Sequence, residues 1–156
     1  MTRNAISYDS GDVVCIDLAN GLNAFARVLY GPLIAFYDIV DESIPGLTAI
    51  TSSTVLFKLP VMVDALESGR WPIVGSKRLE EGLLKPVAMF KQDALNKSLS
   101  LYIEHPDGNH EERLATWEEC EGLERAAVWS PEHIEDRLRD QFAGLKNQWV
   151  ESLKLK

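Results

Sequence analysis

The stretch GDVVCIDLANGLNAFARVLYGPLIAFYDIV, Gly11 to Val40, decides the fold of this 156-residue chain. In Val14, Ile16 and Leu18 apolar side chains alternate with Cys15 and Asp17, the period of two of a strand. Asn20-Gly21 supplies the positive backbone angles of a tight hairpin turn. Leu22 to Tyr30 then returns as a second strand, with Ala24, Ala26 and Val28 on one face and Asn23, Phe25 and Arg27 on the other. Gly31-Pro32 breaks the chain, and Leu33 to Val40 resumes as a third strand. Three strands on short connections form a meander, so the chain opens as antiparallel sheet.

Beyond the meander the strands continue, with interruptions. Pro45-Gly46 marks a loop, and Thr54 to Leu59 is short and β-rich. Between Val61 and Ser68 two patterns compete: Val61-Met62-Val63 suits a strand, Asp64 to Ser68 a helical turn. Trp71 to Gly75 is extended, and Pro72 places it at an edge or a strand start. Lys77 to Leu84 fits a helical turn or a loop, while Val87 to Lys91 and Leu99 to Glu104 are expected strands. Pro106-Asp107-Gly108 turns the chain into a returning strand at Glu111 to Thr116.

The period then changes to that of a helix. Thr116, with Glu119 three residues on, forms a capping box for a short helix over Trp117 to Gly122. Ser130-Pro131-Glu132 is a second start signal: a serine cap, proline at the first position and an acid in the first turn. From there Ile134, Leu138, Phe142, Leu145, Trp149 and Leu153 recur at spacings of four, four, three, four and four, a stripe expected to face the core. Gly144 costs about 1 kcal/mol in a helix interior and makes a kink or break there feasible. The expected architecture is one α+β domain over residues 1–156, β-rich over 11–116 and helical over 117–156. Its mainly antiparallel sheet is expected to curl toward a barrel, with a C-terminal helix packed on it.

Composition narrows the function. Apolar residues make up 46% and charged residues 26%, which is globular and not disordered. The first twelve residues hold one base and no apolar run, so no secretory signal is expected there, and no stretch is apolar for the length a membrane helix needs. Cys15 and Cys120 lie far apart with no CxxC spacing, and are expected to be buried and reduced in a cytoplasmic protein. The formal net charge is −8. Glu104 to Asp136 holds eleven acids against Arg113 and Arg125, a local balance of −9. Direct nucleic-acid binding wants a basic surface, so nucleic acid is not the expected direct partner; a basic protein partner is compatible with this stretch, a solvated acidic face that aids solubility being the alternative.

Catalytic motifs are absent. There is no GxSxG, P-loop, GxGxxG or HExxH, and no cofactor is expected. His105, His110 and His133 are not paired at helical metal spacing; a His105–His110–Glu111 cluster is conceivable, solvated turn residues being the plainer alternative. Cys120 sits among acids that raise a thiol pKa, which makes it a poor nucleophile. Trp149 falls on the apolar stripe, and Trp129 precedes the helix cap, placed to pack on the first turns. Trp117 stands among glutamates, which makes it the candidate interface anchor of the four tryptophans, a half-buried core position being the plainer alternative. The candidate partner-binding residues are therefore Glu111, Glu112, Trp117, Glu118, Glu119, Glu121 and Glu124.

The chain resembles the immunity protein 26 family of bacterial polymorphic toxin systems. The likeness is carried by GDVVCIDLANGLNAFARV (Gly11 to Val28), Tyr37-Asp38, GRWPIVG (Gly69 to Gly75) and FKQD (Phe90 to Asp93). It continues in EECEGLE (Glu118 to Glu124), AVWSPEHIEDRL (Ala127 to Leu138) and the closing helix. The resemblance implies a cytoplasmic, non-enzymatic protein that binds and blocks a toxin domain, with no catalytic residue to carry over. Two other readings stand beside it: a small β-barrel module binding another protein or peptide, and a hydrolase with an unrecognised carboxylate site.

Overall fold

A computed structural model of the protein describes residues 4–156. The opening meander is β1 (Asp12–Asp17), β2 (Asn23–Val28) and β3 (Leu33–Asp41), all antiparallel, with Val14 opposite Ala26 and Ile16 opposite Ala24. The first turn is longer than an Asn-Gly hairpin: residues 18–22 form the loop, closed by Leu18 N–H donating to the Leu22 carbonyl. Gly21 adopts φ 87°, but the second left-handed residue is Ala19 (φ 59°), not Asn20. Side-chain capping explains this, since Asp17 accepts from the Ala19 N–H and Asn20 from the Leu22 N–H.

After helix α1 (Leu47–Thr51), β4 (Val55–Pro60) joins the outer side of β3. Helix α2 (Asp64–Glu67) follows, and β5 (Ile73–Ser76) joins the outer side of β1, directly after Pro72. The strand order is β4-β3-β2-β1-β5. Both faces of this sheet are buried. One carries Val14, Ile16, Ala24, Ala26 and Phe36 against Trp71, Trp129 and the C-terminal helices. The other gathers Val13, Cys15, Phe25 and Tyr37 around Ile50 of α1.

A 3₁₀ turn (Glu81–Leu83) leads to a second antiparallel sheet, β6 (Val87–Gln92), β7 (Leu99–Glu104) and β8 (His110–Leu114). Met89 packs it onto Leu33 and Ala35 of β3 and onto Leu29 in the turn before it. The expected curl into a barrel does not occur. Closure needs the two edges of one sheet to meet; here β4 pairs with β3 and β5 with β1 but not with each other, and the chain starts a separate sheet instead. Layers of helix and second sheet bury the faces that a barrel would have buried by closing.

The helical third follows the local signals closely. Thr116 and Glu119 make the capping box of α3 (Trp117–Cys120), which stops short of Gly122 because Glu121 is already extended (ψ 134°). Ser130 caps α4 (Pro131–Ala143), accepting from the His133 N–H. Gly144 is left-handed (φ 71°) and ends that helix, and Asn147 caps a separate α5 (Gln148–Leu153). The stripe is therefore broken. Ile134 and Leu138 are fully buried, but Leu145 falls in the connection and is 64% exposed, against expectation. Trp149 reaches the core side by another route, with its ring stacked on His133 at 3.7 Å. Among the described residues no helix is long and apolar enough to cross a membrane.

Replacing Leu138 with alanine should cost about 2–5 kcal/mol. Replacing the exposed Leu145 should change stability by no more than about 0.5 kcal/mol. Denaturant unfolding of the two variants measures both, and equal losses would contradict this placement of α4.

Candidate partner-binding surface

The acidic run is divided among several elements. In the β7–β8 ladder Ile103 faces Glu111, Tyr102 faces Glu112 and Leu101 faces Arg113. Directly opposed residues share a face. Glu111 and Arg113 thus lie on the side of Leu101, Phe90 and Cys120, where α3 packs, and Glu112 lies on the other. The carboxylates of β8 and Glu119 of the helix beside it have partners. Glu111 meets His105 Nε2 at 2.6 Å, and Glu112 meets Lys91 Nζ at 2.6 Å, while Arg113 reaches Glu119 at 2.7 Å. The conceivable metal trio is not assembled, because His110 stacks on Tyr102 on the face away from Glu111. No group of three metal-ligating side chains occurs among the described residues.

Helix α3 presents Trp117, whose indole N–H donates to Glu121 at 2.7 Å, and Glu118, which has no hydrogen bond or ion pair among the described residues. Trp117 helps line an open groove of about 360 Å³, together with Phe90, Leu123, Val150, Leu153, Glu121 and Glu124. So Trp117, Glu121 and Glu124 come together at the groove, Glu111 and Glu119 lie on the α3 side of the second sheet, Glu118 is exposed on α3, and Glu112 stands apart.

Glu124 also has a structural task. Its carboxylate forks onto Arg137 at 2.8 and 2.9 Å. That guanidinium is buried over the Phe57 ring at 3.7 Å and near Trp129 at 5.2 Å. A buried cation requires such a partner. Arg125, which the sequence balance sets against the acids, instead donates to the carbonyls of Leu153 and Lys154 at the end of α5.

The last part of the run is internal wiring. Glu135 accepts from Arg70 Nε and Nη2 at 2.8 Å each and from Trp71 Nε1 at 2.9 Å. Burial pushes its carboxyl pKa up, but these hydrogen bonds outweigh burial and hold it below the ordinary value. Asp136 takes the Trp149 indole N–H and pairs with Arg139. Nothing in the sequence pattern pairs Glu135 with residues 64 and 65 positions away, so this network was not foreseeable. Cys15 and Cys120 are free and buried. Burial first, then Asp17 beside Cys15 and Glu119 beside Cys120, raises both thiols.

The geometry thus defines an α+β protein with two open sheets and an accessible, acid-bordered edge. The chain belongs to the Immunity protein 26 family, whose model matches residues 9–101. It is therefore an immunity protein in the general sense, with a toxin protein as its general kind of partner. The matched residues run from the start of the meander into β7; the likeness in Glu118 to Glu124 and Ala127 to Leu138 lies beyond them. No curated protein and no solved structure matches the chain.

A carboxylate held below its unfolded pKa contributes stability that is complete above that value and lost as pH falls through the folded one. For Glu135 the loss begins near the unfolded value of about 4.3 and continues below it. Glu135→Gln should therefore be less stable than the parent at pH 7 and should lose less stability on acidification from about pH 5 to pH 3. Chemical unfolding across this range tests it; parallel pH profiles would contradict the assignment.

Proposed function

We propose that this protein acts in the cytoplasm, where it binds a cognate toxin domain in a stoichiometric complex and neutralises it without catalysis. Membership of the Immunity protein 26 family carries this reading. The toxin it fits best is one that attacks nucleic acid, because such an enzyme has a basic substrate cleft. Support comes from the net charge of −8 and from the exposed carboxylates of β8 and α3. An acidic surface covers such a cleft and speeds encounter with it.

The contact residues of this reading are Glu111, Glu112, Trp117, Glu118, Glu119, Glu121 and Glu124. Two of them have structural duties as well, Glu119 in the capping box and Glu124 on Arg137. Charge reversal at Glu111, Glu118 and Glu121 avoids both.

The toxin domain encoded next to this gene should co-purify with the protein at one to one. A triple variant, Glu111→Lys, Glu118→Lys and Glu121→Lys, should keep its fold and associate about tenfold or more slowly at low salt, with a flatter salt dependence. Unchanged association rates would remove the electrostatic part of the proposal, and failure to form any complex would remove the whole.

A further inference from the structure

Strand β8 closes the order β6-β7-β8, so among the described residues one of its sides faces no other strand. All five of its residues are exposed, and Leu114 is 82% exposed. The opposite edge of the same sheet is occupied: Phe90 N–H donates to the Glu124 carbonyl, and Ala126 N–H to the Phe90 carbonyl. The direction of the main-chain groups on β8 follows from the two ends of its ladder. Ala115 N–H donates to the Leu99 carbonyl, and His105 N–H to the Asn109 carbonyl. In an antiparallel pair, residues alternate between bonding their partner and bonding outward. Glu111 and Arg113 therefore bond β7, while His110, Glu112 and Leu114 point their N–H and C=O groups away from it.

We infer that β8 is an edge onto which an extended, basic segment of the toxin domain adds as a fourth strand, its main chain bonding Glu112 and Leu114. This rests on the toxin-binding reading above and names the contact. Charge selects the occupant. Glu112 lies on one face of the strand, Glu111 and Glu119 lie on the other, and Asp107 stands in the preceding turn. Against these four acids stand Arg113, paired with Glu119, and Lys91, paired with Glu112, so a lysine- or arginine-rich strand meets a net excess of acid along the edge. In antiparallel self-pairing about Glu112 each Glu111 would meet the other copy's Arg113, but the two Glu112 carboxylates would stand directly opposite each other and the two copies, each of net charge −8, repel. The same charges that protect a bare edge against its own kind admit a basic partner.

The test begins with calorimetric binding of the unaltered protein to the toxin domain encoded beside its gene. Amide hydrogen exchange is then followed with and without that domain. The Glu112 and Leu114 amides should slow on binding by about tenfold or more, whereas those of Glu111 and Arg113, already bonded to β7, should change little. Glu112→Pro removes the outward N–H at a position where an edge tolerates proline. Its Kd should be weaker than that of Glu112→Gln by about tenfold, the loss of roughly one main-chain hydrogen bond. No binding by the unaltered protein would overturn the toxin-binding reading and this inference together. Tight binding with unprotected Glu112 and Leu114 amides would overturn this inference alone, whether or not the proline variant folds. A dimer in ultracentrifugation that Glu112→Pro dissociates would assign the edge to a second copy and overturn it as well.

Discussion

The structure depends on a guanidinium with no access to solvent. Arg27 stands on the second strand of the meander, on the face that also carries Phe25 and Tyr37, and its side chain is fully buried. Four acceptors hold it: Glu80 at 2.7 Å, the Lys77 and Arg78 carbonyls at 2.6 Å each, and the Tyr37 hydroxyl at 3.3 Å. A charge taken out of water is tolerable only with partners of this number and quality. Three of the four come from the segment that follows β5, so the arginine dictates where that segment runs. Gly11 tightens the same clamp. Its carbonyl accepts the Lys77 N–H, and a Cβ on it would stand 2.5 Å from the Lys77 carbonyl oxygen. Its φ of 95° suits glycine in any case.

From that clamp the course of the chain follows. Leu79, just past Lys77 and Arg78, packs with Leu29, Leu33 and Met89, which seats the second sheet against the first. The position of β8 and α3, and so the direction in which the acidic edge is presented, is inherited from the arginine.

Charge in this protein has two roles that composition cannot separate. The concentration of acids between Glu104 and Asp136 has the look of a single electrostatic field. In the folded chain Arg70, Lys91, Arg137 and Arg139 reach into it from outside the run. Glu124 and Glu135 are fasteners between the C-terminal helix and the rest of the molecule. Glu111, Glu118 and Glu121 remain at the surface, where their potential acts on whatever approaches. The repulsion expected of so many like charges is thereby relieved inside and retained outside.

The sequence by itself determined what neighbouring residues settle among themselves. The alternation from Val14 to Leu18, the capping box at Thr116 and Glu119, and the Ser130-Pro131 start each involve groups within a few residues, and each stands where it was expected. Gly144 belongs with them: the possible break in the stripe became a left-handed helix end that strands Leu145 in solvent. Tertiary structure decided the rest. Whether the strands close into a barrel or divide into two sheets depends on which edges meet, and no periodicity encodes that. Glu135 finds Arg70 across 65 positions, and Arg27 finds Glu80 across 53. Such pairs form only after the sheets and helices have docked, because a few ångströms and a shared exclusion of water, not distance along the chain, set their strength.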